Sequence, residues 1–385
     1  MSRSQHLVLI GGGHSHAIAL KEWQKNPIPN VKLTLISNVL QTPYSGMLPG
    51  YIAGFYRFEE THIDLRKLTQ LTQAKLVLTT AIALDLIKNQ IICADCPPIN
   101  FDILSIDIGS TPTLTNIVGS EYVTPAKPVP QLLDVWDNFL NHIHQNPEKP
   151  ISISIIGGGA GGVELALNMR SRSAATRSRL QTILPSHLIT FHLFHRGQKL
   201  LEHHNSWVSH KIEKILKERD IQLHLGETVQ SIQTSGLDSY QITCQSNLSI
   251  PTNYIFGVTQ ASAPDWIKHS DLSTDSSGFI LIKNTLQTLS HKHIFATGDI
   301  ATMPDYPRPK AGVFAVRQGK PLEENWRNFL LNKPLKPYFP QKTYLSLIGT
   351  GDKTAIASWG NWGCQSRYCW QWKDYLDRQF MEQFT

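Results

Sequence analysis

Three glycines at 157, 159 and 162, within ISISIIGGGAGGVELA (151–166), form a G-x-G-x-x-G pattern with an apolar run before it and a helical pattern after it. Each glycine has a separate task. Gly157 makes a tight strand-to-helix turn, Gly159 lets backbone approach a pyrophosphate, and Gly162 lets helix and strand pack closely. The N-terminus of the following helix then attracts the anion. A second turn of the same kind opens the chain, in HLVLIGGGHSHAIAL (6–20), where Gly11 and Gly13 take the first two tasks and His16 replaces the third glycine. His14 and His16 place two imidazoles in a phosphate turn. They have neither the spacing nor the partners of a metal site, so no metal is expected, and the rings are read as packing and backbone bonding around a pyrophosphate. Two such turns in one chain predict two dinucleotides bound together.

These turns need buried parallel strands before them and helices after them. LVLI suits such a strand, Ala17, Ile18 and Leu20 begin a helix, and VKLTLIS (31–37) gives the second strand of a βαβ unit of about 30 residues. Ser37 stands where an acidic ribose ligand would usually end that strand. After the second turn, LITFHLFHR (188–196) ends in His195 and Arg196. An arginine there favours a 2′-phosphate, so NADPH is admitted beside NADH. The basic stretch RSRSAATRSRLQT (170–182) reads as a surface insertion or a solvated helix face. LLDVWDNFLNHI (132–143) reads as an amphipathic helix that QNPEKP ends, and PAKPVPQLL (125–133) and QASAPDW (260–266) read as joints between units.

The chain has 385 residues, 41% apolar and 17% charged, which suits two to three packed domains and excludes a disordered chain. Thirty-six basic against thirty acidic residues give +6, too diffuse for a nucleic-acid partner. Five cysteines suit a reducing compartment, no apolar run reaches about 18 residues, and the N-terminus carries no secretory signal. The expectation is a cytoplasmic protein, with peripheral contact to the inner face of a membrane admitted.

Two further strings complete a known order. FDILSIDIGSTP (101–112) reads as a strand ending in a Gly109-Ser110 turn, and HKHIFATGDIA (291–301) as a short strand ending in Gly298-Asp299. The order GGGHSH, IDIGSTP, GGGAGGVE, ATGD resembles the pyridine nucleotide-disulfide oxidoreductase superfamily, the two-dinucleotide-binding-domain flavoproteins. PYSGMLPGYIAG (43–54) makes it most similar to a type II NADH dehydrogenase-like group, which also occurs as the flavoprotein half of selenide, water dikinase fusions. The resemblance implies an α/β fold of two Rossmann-like domains, FAD in the first turn and NAD(P)H in the second. An FAD domain (1–125 and 270–335) would be interrupted by an NAD(P)H domain (145–265), with a C-terminal α+β segment over 336–385. It also implies FAD contacts at Gly109, Gly298 and Asp299, the last bonding the ribityl chain. The helix starting near Ala311 would aim at the pyrimidine end of the flavin, with Lys310 tuning the ring. Pro49 would lie on another approach to the ring, Gln318 near a quinone, and Glu164 and Arg196 on the nicotinamide-dinucleotide side.

A disulfide reductase of this type carries C-x-x-x-x-C after the second strand, and LQTPYSGMLPG has no cysteine there. Cys93 and Cys96 read as a hairpin tip, and Cys364 and Cys369 lie far along the chain. The resemblance therefore implies an enzyme that passes hydride from NAD(P)H to FAD and electrons to a quinone or other small acceptor, without proton pumping. The alternative is a redox module serving selenium metabolism or a protein partner. A homodimer is admitted. At the C-terminus, RYCWQWKDYLDRQFMEQF reads as a helix with Tyr368, Trp372, Tyr375, Leu376, Phe380 and Phe384 on one face and Lys373, Asp374, Asp377 and Arg378 on the other. The aromatic face would pack on the FAD domain or lie in a membrane interface.

Overall fold

The computed structural model describes residues 4–178, 188–236 and 238–385. Its framework begins with strand β1 (Gln5–Ile10), helix α1 (His14–Trp23), β2 (Val31–Ser37), the short helix α2 (Leu48–Ile52), β3 (Lys75–Leu78) and β4 (Ile103–Ile106). The middle of the chain adds β5 (Thr124–Pro125), α3 (Val129–Gln145), β6 (Ile151–Ile156), α4 (Ala160–Ser178), β7 (Ile189–His195), α5 (Ser206–Glu218), β8 (Ile221–Leu225) and β9 (Tyr254–Gly257). The chain then returns through β10 (Ile294–Ala296) and α6 (Gly312–Leu330). It closes with β11 (Ser346–Gly349), β12 (Ala355–Trp359), β13 (Trp362–Ser366) and α7 (Arg367–Met381).

Two parallel sheets carry the site. The first has the order β10-β4-β1-β2-β3 and the second β5-β9-β6-β7-β8. In both, the strand before a glycine turn is central, and the next strand in sequence lies on one side of it. On the other side lies a strand that arrives much later. Central strands covered on both faces must be apolar throughout. Leu7, Val8 and Leu9 are fully buried, as are Ile153 and Ile155. β10 joins the first sheet from almost 190 residues beyond β4, so the second sheet is built from chain lying between strands of the first. β5 and α3 pack with the second sheet, and Leu132, Trp136, Phe139 and Ile143 share its core. That places chain before residue 145 with the second unit, because the buried stripe of α3 needs the surface of α4 to cover it.

The stretch 170–178 is the last part of α4, where Ser173 is fully buried and Arg170 Nε donates to Arg219 O. It is therefore no surface insertion, while 179–182 lie outside the described residues. Cys93 ends a strand at a hairpin, and all five cysteines are free thiols.

Of the two settings expected for the aromatic face of the C-terminal helix, packing against the FAD domain is overturned for most of that face. Tyr368, Trp372, Tyr375 and Leu376 are exposed, and of the aromatic face Phe380 is buried. The charged side turns inward. Lys373 Nζ pairs with Asp377 at 2.7 Å and bonds Gly46 O, Asp374 accepts from the Tyr56 hydroxyl at 2.7 Å, and Arg378 meets Glu60 at 2.8 Å. Partners offered by residues 44–60 repay the desolvation of these charges. No helix among the described residues is long and apolar enough to cross a membrane.

Candidate dinucleotide sites

The two glycine turns are built alike, and their differences locate the chemistry. In the second turn a methyl group on Gly157 would strike Val258 O at 2.1 Å, and one on Gly162 would strike Gly157 O at 1.8 Å. Both glycines serve packing between strand and helix. Gly159 has nothing within 4 Å of the corresponding position. That open face at the start of α4 is where backbone N–H groups and the helix dipole would meet a pyrophosphate. Arg196 is exposed at the end of β7, its Nη2 donating to Gln260 Oε1 at 3.2 Å, and is free to reach a ribose phosphate. Glu164 lies one turn further along α4 and is half-buried; its Oε1 accepts from Gly349 N at 2.7 Å, and desolvation raises its carboxyl to about 7 against the pull of Lys373. It ties α4 to β11.

In the first turn Gly11 again abuts the following strand end, here Asp107 O at 2.2 Å. Gly13 differs from its counterpart Gly159. The space beside it is filled by the Asp107 carboxylate, both oxygens 2.4 Å from where a methyl would sit, so the open approach expected at Gly13 is absent. His16, in the third glycine's place, is buried and bonds Gly11 O through Nδ1 at 2.6 Å and Ser105 Oγ through Nε2 at 2.8 Å. Burial lowers its pKa to about 4, so the ring stays neutral. His14 is also lowered to about 4, by burial and then by Lys127. It packs edge-on against Tyr44, and its Nε2 is buried without a partner.

Around this turn gather most of the residues expected at the flavin. Gly298, Asp299, Lys310, Ala311, Phe314 and Gln318 line one cleft. Gly109 has a φ of +71° that suits glycine, with open space beside it. Burial works against ionisation of Asp299, but Lys127 Nζ at 2.9 Å and Ser110 Oγ at 3.2 Å outweigh it, and the carboxyl lies below its ordinary range. Lys310 is not a free charge before α6. Its Nζ bonds Ala301 O at 2.7 Å and Thr302 Oγ1 at 2.8 Å and sits 3.9 Å over the Phe279 ring, and burial lowers it to about 8. Gln318 is buried among the cleft-lining residues, and its Oε1 accepts from Gly298 N at 2.7 Å, so it holds the Gly298-Asp299 turn. Pro49 opens α2, whose Ile52 packs into the core that contains α4. Asp299 offers an acceptor to a hydroxyl, while the unpartnered His14 Nε2 and Thr297 Oγ1 and the open Gly109 fit a large polar ligand such as FAD.

The sequence reading missed Asp107 and Lys127 altogether, and placed Lys373 on a charged helix face without its inward partners. Asp107 had a signal, a carboxyl directly after the apolar ILSI, at the strand end where open α/β sheets bind ligands. Lys127 and Lys373 had none, since their partners lie 172 residues away at Asp299 and 327 away at Gly46.

The family model described as pyridine nucleotide-disulphide oxidoreductase matches residues 5–319. The NADH dehydrogenase-like protein YutJ of Bacillus subtilis is 22% identical over 89% of this chain and 90% of its own. The sulfide-quinone reductase of Aquifex aeolicus is 20% identical over 91% of this chain and 82% of its own. Among solved structures, NDH2 from Plasmodium falciparum in complex with NADH superposes with a TM-score of 0.85 over 99% of this chain and 98% of that one, at 14% identity.

Proposed function

The chain belongs to the pyridine nucleotide-disulphide oxidoreductase family, and from that premise we propose that it is an FAD-dependent NAD(P)H:quinone oxidoreductase that pumps no protons. FAD would be held at the first sheet by the α1 turn, Gly109 and the Gly298-Asp299 turn, and NAD(P)H at the second by the α4 turn at Gly159. When bound, the pair supplies hydride transfer from nicotinamide to flavin and onward delivery of electrons. The chain's own residues do the placing. Lys127 and Ser110 keep Asp299 ionised and aimed, Gln318 fixes the Gly298 N–H, and α6 brings its N-terminus to the cleft. Tyr44, Asp377 and Lys373 bind one another and the Gly46 carbonyl, tying α7 to the loop before α2.

One observation carries the choice of acceptor. An open dinucleotide turn and a cleft lined by Gly298, Asp299 and Lys310 occur together, while the loop 43–54 carries no thiol. Electrons therefore have no dithiol to pass through, and a small molecule is the fitting acceptor. The quinone named in a relative that aligns over 91% of this chain supports that class. Exposed Trp359, Trp362, Tyr368, Trp372 and Tyr375 further support contact with a membrane surface, where aromatic side chains sit well. The test is steady-state oxidation of NADH and NADPH with quinones of short and long tail, oxygen and ferricyanide. Quinone turnover well above oxygen turnover supports the reading. Flavin reduction without quinone turnover contradicts it.

A further inference from the structure

The first dinucleotide turn contains a buried acid that the second lacks. Asp107 follows β4 as Val258 follows β9, and each carbonyl oxygen lies against the first glycine of its own turn, 2.2 and 2.1 Å from where a methyl on that glycine would sit. At the second turn the side chain is apolar and the space beside Gly159 is open. At the first turn the carboxyl of Asp107 fills the space beside Gly13 and reaches to 2.4 Å from where a methyl on Gly298 would sit. It accepts from the His16 N–H at 3.1 Å, in the first helical turn where a phosphate would also be drawn. A fully buried carboxylate against an incoming pyrophosphate is two anions in one dry pocket, which cannot both keep full charge.

Resting on the assignment of FAD to this turn, we infer that Asp107 is the proton-carrying residue of the site: FAD binding is accompanied by uptake of one proton from solvent onto the Asp107 carboxylate. Several features support this. Burial raises the Asp107 carboxyl to about 7 and the nearby Asp299 adds to the rise, while the N–H groups of His16 and Ser15 oppose it. The ionised form is thus already marginal before a ligand arrives, and an added dianion moves the balance to the neutral acid. The other titratable groups around the pocket are His14 and His16 on α1, Asp299, Lys127 and Lys310. The two histidines titrate near 4 and Asp299 lies below the carboxylate range, so none of these three contributes near neutrality. Lys310, near 8, contributes a slope at higher pH, and a second variant separates it.

The experiment is calorimetric titration of FAD into the flavin-free protein from pH 6 to 8.5, in two buffers of different ionisation enthalpy. Affinity should be flat below about pH 7 and fall above it, approaching tenfold per pH unit, with a buffer-dependent heat that grows from near zero at pH 6 to about one proton taken up at pH 8.5. Asp107→Asn, and Asp107→Val as copied from the second turn, should remove the slope between pH 7 and 8. Lys310→Met should keep it. NADPH titrated into each variant reports whether the second turn is still folded. A parent whose affinity and heats are independent of pH and buffer overturns the proposal, as does an unchanged slope in folded Asp107→Asn. Absence of FAD binding at every pH would overturn the cofactor assignment as well, which distinguishes the two failures.

Discussion

At Asp299 a single carboxylate is held ionised inside the protein by Lys127, and its free acceptor capacity is what a ribityl hydroxyl would use. Asp299→Ala removes a charge-assisted hydrogen bond worth about 1.5–3 kcal/mol. Flavin affinity should fall roughly ten- to a hundredfold, read as loss of colour on gel filtration; full retention would remove Asp299 from the site. Asp107 gives a pH signature in the flavin-free protein. Its folded value, raised to about 7, exceeds the unfolded one near 4. Between those pH values the fold holds a proton the unfolded chain has lost, so this residue's contribution to stability declines as pH rises from about 4 to 7 and is flat above. Asp107→Asn should therefore melt higher than the parent at pH 8, with the gain shrinking toward pH 4; a pH-independent difference would contradict the buried-acid account. The glycine spacing was legible in sequence, and so was the strand-end turn that carries Asp299. What spacing could not convey is which glycine faces open space. Gly13 and Gly159 are the same residue in the same pattern, and Asp107 or Val258, about 95 residues further along, decides between them.

At the scale of elements, the strands before the glycine turns were legible because burial on both faces leaves an unbroken apolar run. For helix α7 the sequence left two settings open, for the converse reason. Its periodicity separates aromatic from charged residues correctly, but periodicity cannot say which face finds partners. Glu60, Tyr56 and Gly46 offer partners to the charged side, and that side turns inward. Lys373→Met leaves Asp377 and Glu164 facing each other without a cation, which should cost about 3–5 kcal/mol and show as a large fall in melting temperature with early loss of flavin. Trp372→Ser with Tyr375→Ser, both exposed, should leave melting nearly unchanged while lowering liposome binding and turnover with long-tailed quinones. Unaltered liposome binding in that double variant would remove α7 from the membrane contact.

Across the whole molecule, the second sheet is built from chain inserted between strands of the first, and each sheet carries one glycine turn at the end of its central strand. Donor choice belongs to this scale because Arg196 reaches across to Gln260 at the mouth of the second turn. Arg196→Glu should lower NADPH efficiency relative to NADH by tenfold or more, about 1.4 kcal/mol, and an unchanged ratio would remove Arg196 from a 2′-phosphate contact. The most direct measurement of the central claim uses Gly159. Its side-chain position is open, so valine there should fold and keep FAD, and a bound pyrophosphate is what the new side chain would obstruct. Anaerobic mixing of parent and Gly159→Val with NADH or NADPH, followed by the visible absorption of the flavin, gives the answer. Rapid bleaching of the parent and a variant that stays yellow are predicted; bleaching of the variant at the parental rate would contradict the account.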